Sequence, residues 1–133
     1  MLDIDAFKNV NETYGDDIGD IVLKELAQIL KKRSRKTDKV YRLGDEEFLI
    51  NLHNCGQYQA VNLAEEIRTT VAAHKFNNEL SLTVSIGVAS WHTDQSWKEW
   101  LHSCDQNLYY AKNTGRNKVS TLPYNGSPHS RDS

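Results

Sequence analysis

Val40-Tyr41-Arg42-Leu43-Gly44-Asp45-Glu46-Glu47-Phe48-Leu49-Ile50-Asn51-Leu52 holds two β-prone runs parted by a Gly-Asp pair. Branched and aromatic side chains suit a pleated, half-buried surface, and Gly-Asp is a two-residue hairpin signal. The stretch therefore predicts strands over 40–43 and 46–52, joined at Gly44-Asp45. Downstream, Ala60, Leu63, Ala64, Ile67 and Val71 recur at helical steps within 57–73. Leu80, Leu82, Val84, Ile86 and Val88 alternate strictly, which predicts a strand with one strongly apolar face. A third long helix is predicted over 97–113, with Trp97, Trp100, Leu101, Cys104, Leu108 and Ala111 as its buried stripe and Gly115 as its terminator. A short last strand follows over 117–122.

Upstream of the hairpin, 19–33 predicts a helix through Ile18, Val22, Leu26, Ile29 and Leu30. Lys31-Lys32-Arg33 fall in its last turn, where cations suit the helix dipole. A helical turn over 5–10, ending near Tyr14-Gly15, and an opening strand over 2–4 complete the order. Strand, helices, hairpin, helix, strand, helix, strand predicts an α/β (α+β) sandwich. Its sheet would be mixed but largely antiparallel, with the hairpin turn beside the end of the first strand. Central strands usually carry more apolar residues than Leu2 to Ile4 supply. The domain is therefore expected over 1–122 with its leading element missing, and the polar stretch 123–133 as a flexible tail.

At 133 residues the chain fits one domain. Sixteen basic against 18 acidic side chains give a net charge of -2, which argues against DNA or RNA as a partner. No apolar run reaches the length of a membrane span, and Met1 leads straight into an acidic segment rather than a signal peptide. Cys55 and Cys104 lack metal-type spacing and are expected as reduced thiols in a cytoplasmic domain. Any membrane tether would lie upstream.

Asp3 and Asp5 are two apart, so both point to one face of a strand. Carboxylates at a strand end beside a helical turn suit Mg²⁺, and the amides of the Ala6-Phe7-Lys8 turn suit phosphate oxygens. Equally, Asp5 would serve as a helix cap. Glu46 and Glu47 are expected on opposite faces of their strand, one toward Asp3; a solvated acidic turn is the plainer alternative. No GxxxxGK[ST] phosphate loop is present.

Five ordered segments resemble one family, the GGDEF domains of diguanylate cyclases. Leu2-Asp3-Ile4-Asp5-Ala6-Phe7-Lys8 is similar to the family's LDIDxFK. Asn9 to Gly15, with Gly19-Asp20, resembles its asparagine-containing TYG…GD segment. Arg42-Leu43-Gly44-Asp45-Glu46-Glu47-Phe48 resembles its RYGG(D/E)EF signature, as a degenerate GDEEF form. Leu82 to Ala89 resembles LTVSIGVA, and Asp105 to Lys112 with Gly115 to Val119 resembles its ADxALYxAKxxGRNxV ending.

The resemblance implies a ferredoxin-like, nucleotide-cyclase-like fold and the condensation of two GTP into cyclic di-GMP plus pyrophosphate by two facing domains, a homodimer. It implies Mg²⁺ (or Mn²⁺) held by Asp3, the Ile4 carbonyl and Glu46. Glu46 would also help deprotonate the attacking hydroxyl, with Glu47 as acidic support. Asn11 and Asp20 would read guanine, while Lys8, Lys112 and Arg116 would neutralise the triphosphate. Arg35 and Asp38 match an RxxD site at which cyclic di-GMP inhibits; a basic helix end followed by a turn is the alternative. An upstream sensory domain commonly controls pairing.

Two departures stand out. Asp45 replaces the second signature Gly, where it adds atoms and charge near the phosphates, although Asp tolerates positive φ. Glu66 stands where the family often has a clamping Arg. Three functional readings stay open: a cyclase, a silent module that binds cyclic di-GMP or GTP as a sensor, or a purely structural dimerisation domain, against which the many ligand-type residues count.

Overall fold

The computed structural model describes residues 1–121. Leu122 and the predicted tail over 123–133 lie outside the described residues. Nine elements follow in order: β1 (Leu2–Ile4), α1 (Phe7–Tyr14), α2 (Asp16–Arg33), β2 (Lys39–Arg42), β3 (Glu47–Asn51), α3 (Gln57–Ala73), β4 (Val84–Gly87), α4 (Trp97–Asn113) and β5 (Val119–Ser120). The five strands form one sheet in the order β2-β3-β1-β4-β5. All neighbours are antiparallel except β4 and β5, which are parallel and linked through α4. The mixed, largely antiparallel sheet expected from the element order is present.

Alternation along each strand decides which layer covers which face. Leu2, Ile4, Phe48, Val84 and Ile86 point one way and are buried with Val22, Leu26 and Leu30 of α2 and Ala64, Ile67 and Val71 of α3. The opposite face carries Asp3, Ser85 and Gly87 and is covered by α4. At Gly87 the covering is very close. A Cβ there would stand 2.3 Å from the Leu108 amide nitrogen and 2.4 Å from the Cys104 carbonyl oxygen. Only glycine lets α4 lie backbone against backbone on β4.

The boundaries of α3 and α4 match the periodicity. α4 opens on a capping box that fixes its entry: the Glu99 amide donates to Ser96 Oγ at 3.1 Å and the Ser96 amide to Glu99 Oε1 at 2.9 Å.

Three expectations are corrected. α2 begins at Asp16, one residue after the Gly15 break. β4 is shorter than the alternating run, because Leu80 pairs back on Phe76 in a tight turn (Leu80 N to Phe76 O, 2.8 Å) rather than joining the sheet. Its expected apolar face is present in Val84 and Ile86, and Ser85 and Gly87 on the other face are buried as well. Trp97 is 59% exposed, since α4 meets the sheet only from Trp100, whose Nε1 donates to the Ala89 carbonyl at 2.9 Å.

The hairpin loop is longer than two residues. Arg42 pairs with Phe48, and the Leu43 amide donates to the Glu47 carbonyl at 2.9 Å, which leaves Gly44, Asp45 and Glu46 as the loop. Neither Gly44 nor Asp45 has positive φ, so the turn makes no demand on Asp45 that favours glycine.

At the start of β1 a cavity of about 420 Å³ opens between the sheet, α3 and α4, with Met1, Leu2, Ile86, Val88, Leu63 and Trp100 among its walls. It lies at the opposite end of the strand from the acidic residues. Both cysteines line it; they are free thiols, Cys104 buried.

Candidate active site

β1 ends in Asp3-Ile4-Asp5, and the hairpin loop returns alongside it. The Ile4 amide donates to the Glu46 carbonyl at 3.2 Å, and Asp3 stands opposite Glu47 in the ladder. Directly opposed residues share a face, so Glu47 stands on the face of Asp3. Glu46 belongs to the loop, where strand alternation does not apply. Of the two glutamates the ladder puts Glu47 on the face of Asp3, and both carboxylates disfavour the Asp3 charge.

α4 brings Lys112 to the same place from the other layer. Its ammonium lies 3.6 Å from Asp3 Oδ2, 3.3 Å from Asp5 Oδ1 and 3.5 Å from the Ile4 carbonyl oxygen. Asp3 and Asp5 differ sharply in what else they receive. Asp3 Oδ1 is buried and has no hydrogen-bond partner among the described residues. Burial pushes the Asp3 carboxyl up to about 6; Lys112 opposes this, and Glu46 and Glu47 add to it.

Asp5 is buried yet fully supplied. Its Oδ2 accepts from Thr83 Oγ1 at 2.7 Å and from the Asn117 amide at 3.0 Å, and its Oδ1 accepts from Ser85 Oγ at 2.7 Å. Burial works against its charge, but Thr83, Ser85, Asn117 and Lys112 together hold its carboxyl below the usual range. It caps no helix: Ala6 is the residue before α1, in the left-handed region at φ 57°, with no side-chain cap bond.

The remaining expected residues surround this centre. Lys8 is exposed on α1 and pairs with Glu12 at 3.8 Å. Asn11, on α1, packs over Gly19, where a Cβ would stand 2.0 Å from its Oδ1; exposed Asp20 follows directly. Arg116 is exposed in a left-handed turn with Asn117 (φ 62° and 47°), and its amide donates to the Ala111 carbonyl at 3.0 Å.

Arg35 and Asp38 lie away from this cluster and are closed on one another. The Arg35 guanidinium forks onto Asp38 through Nε at 3.2 Å and Nη2 at 3.0 Å, and Nη2 also donates to the His53 carbonyl at 2.6 Å. The Asp38 side chain is wholly buried, while that of Arg35 is half exposed. Burial works against the Asp38 charge, but the fork and the Arg35 amide hold its carboxyl low. Glu66 is exposed on α3.

Arg42 was not singled out from the sequence. Its Nε donates to the Gly44 carbonyl and its Nη2 to the Asp45 carbonyl, each at 2.9 Å, so it staples the signature loop. No sequence signal beyond its position in the signature marks that role.

A hard divalent cation fits the donors present. An orphaned, buried carboxylate oxygen, two further carboxylates close enough to disfavour its charge and a backbone carbonyl at the strand end are oxygen ligands of the type Mg²⁺ takes. Among the described residues, no group of three or more His, Cys, Asp or Glu is arranged as a metal cage. The set suggested by the resemblance has two carboxylates and a carbonyl, a number that leaves room for phosphate or water ligands.

The fold is the GGDEF fold. The active GGEEF domain of a diguanylate cyclase from Vibrio cholerae superposes with a TM-score of 0.81 at 34% identity, covering 90% of this chain and 78% of that one. The GGDEF domain of DgcB from Caulobacter crescentus, solved in complex with c-di-GMP, gives 0.79 at 30% identity over 90% and 73%. The chain belongs to the "Diguanylate cyclase, GGDEF domain" family, whose model matches residues 1–118. Diguanylate cyclase A of Treponema denticola is 42% identical over 132 residues, which are 96% of this chain and 35% of that protein. The chain thus spans about a third of the length of that curated relative. No helix among the described residues is long and apolar enough to cross a membrane.

Proposed function

We propose that the domain condenses two GTP into cyclic di-GMP and pyrophosphate, and that Arg35 and Asp38 bind the product. The observation that carries this reading is the buried, unpartnered Asp3 Oδ1 beside Glu46, Glu47 and the Lys112 ammonium. Asp3, the Ile4 carbonyl and Glu46 would hold Mg²⁺ or Mn²⁺, which when bound neutralises charge on the triphosphate and the leaving pyrophosphate. Lys112 and Arg116, with Lys8 from α1, supply cationic donors to the phosphates. Asn11 and Asp20 present an amide and a carboxylate to the guanine edge. Glu46 accepts the proton of the attacking 3′-hydroxyl, and Glu47 supports the acidic cluster. Each 3′-oxygen attacks the α-phosphorus held by the facing domain, so turnover needs two copies. GTP as substrate puts the domain in the cytoplasm, with any membrane tether upstream.

Product binding at Arg35 and Asp38 requires the fork between them to open, which exchanges its hydrogen bonds for contacts with guanine. A second reading rests on Asp45, exposed in the signature loop: a silent module that binds GTP or cyclic di-GMP. A charge 4 Å from a phosphate costs about 1 kcal/mol in water and about 4 at an effective dielectric near 20. A penalty midway in that range slows a reaction roughly ten- to a hundredfold.

The test is incubation with GTP and Mg²⁺ at protein concentrations where two domains meet, followed by detection of cyclic di-GMP. Production that Glu46→Gln abolishes supports the enzyme. Turnover only in Asp45→Gly establishes the silent module. Equal calorimetric affinity of wild type and Arg35→Ala for cyclic di-GMP would remove Arg35 from the product site.

A further inference from the structure

Asp5 ties together four segments at one point. Through one carboxylate it holds the end of β1, Thr83 and Ser85 at the start of β4, Lys112 in the last turn of α4, and the Asn117 amide in the turn that carries Arg116. Its own amide donates to the Thr83 carbonyl at 2.9 Å. The carboxylate is buried, so these bonds do not compete with bulk solvent.

The donors differ in what they tolerate. Thr83 and Ser85 hydroxyls can rotate and become acceptors, whereas a backbone N–H and an ammonium can only donate. Arg116 and Asn117 both occupy the left-handed region, which Asn tolerates but which costs Arg116 strain that the surrounding structure must hold. The Asn117 amide bond to Asp5 holds the turn on one side, and the Arg116 amide bond to the Ala111 carbonyl on the other.

We infer that Asp5 is a positioning residue for the triphosphate: it fixes the Lys112 ammonium and the backbone of the Arg116 turn, and touches no substrate itself. The inference deepens the proposed function and rests on it for the identity of the ligand. Asp5→Asn is the informative change. It preserves size but removes the charge and turns one acceptor into a donor: Lys112 faces Oδ1 and the Asn117 amide faces Oδ2, so one of them loses its acceptor and the other keeps only a neutral one, while the hydroxyls can rotate to accept.

Two measurements decide the matter. In wild type the Asn117 amide exchanges slowly with deuterium; in Asp5→Asn its protection falls at least about tenfold, while core amides such as Val84 and Ile67 keep theirs. Hydrogen bonds to charged groups have this magnitude. In calorimetry with a non-hydrolysable GTP analogue and Mg²⁺, Asp5→Asn weakens binding about tenfold or more in the wild-type background. In Lys112→Ala/Arg116→Ala the same change costs less than about twofold, because the groups it acts through are gone. Equal losses in both backgrounds, or unchanged protection of Asn117, overturn the inference. A uniform fall in protection across the core assigns Asp5 to global stability instead and also overturns it. If wild type binds no GTP analogue, the proposed function fails, and the exchange of Asn117 alone still decides whether Asp5 holds the turn.

Discussion

At its start, β1 opens on an apolar cavity of about 420 Å³; at its end, two residues further on, it enters a cluster of carboxylates around one ammonium. The apolar end is loosely filled, and the polar end has one oxygen too few donors for its charge. These are opposite departures from close packing and full hydrogen bonding. The second sacrifices stability by holding a carboxylate ready for a cation.

The largest expected effect breaks the layer that both ends share. Gly87→Ala places a Cβ against the backbone of α4, which cannot move aside as a flexible side chain would. Overpacking of this kind costs about 3 kcal/mol, read from the urea midpoint.

Next in size is Asp3→Asn, which sharpens the contrast. The folded protein holds the Asp3 proton more tightly than the unfolded chain, with the carboxyl raised from 3.8 to about 6. Its contribution to stability is therefore best below pH 3.8, falls as pH rises toward about 6, and stays low above that. In full the shift corresponds to about 3 kcal/mol, and solvent screening reduces it to about 2. Asp3→Asn should gain about that much at pH 8 and nothing near pH 3, while losing Mg²⁺-dependent binding of the GTP analogue. Thermal unfolding across pH checks the first part and calorimetry the second.

At the apolar end, Ala60→Leu should add about 1 kcal/mol by filling cavity volume, with GTP-analogue affinity unchanged. The smallest effect belongs to Lys8→Ala. The exposed Lys8–Glu12 pair makes the stability change less than about 0.5 kcal/mol, so any loss of nucleotide affinity in this variant is functional.

Periodicity located α3 and α4 because each buries one long stripe, and a 3.6-residue repeat needs no partner to be read. The strands were less legible. Leu80 and Leu82 continue the alternation of β4, yet the bond of Leu80 to Phe76 takes the first out of the sheet. The hairpin loop gained a residue because the register is fixed by Arg42 against Phe48, a pairing invisible in composition. In the candidate site, Asp3 and Lys112 were legible through family motifs and do come together. Asp5 and Arg42 were not legible in their structural roles, since their partners Thr83, Ser85 and Asn117, or the carbonyls of a loop, lie outside any local pattern. The closed fork of Arg35 and Asp38 was likewise hidden: three residues apart in sequence, they looked like two hands for a ligand and turned out to hold each other.

Where Gly87 touches α4, the helix rests on a fulcrum. From Leu108 to Lys112 is about one turn, roughly 6 Å of lever arm. With so short an arm, a tilt of a few degrees moves the ammonium by only about half an ångström. A residue with no functional group thus sets the tolerance to which a charged one is held, and a survey of reactive side chains alone would pass it by.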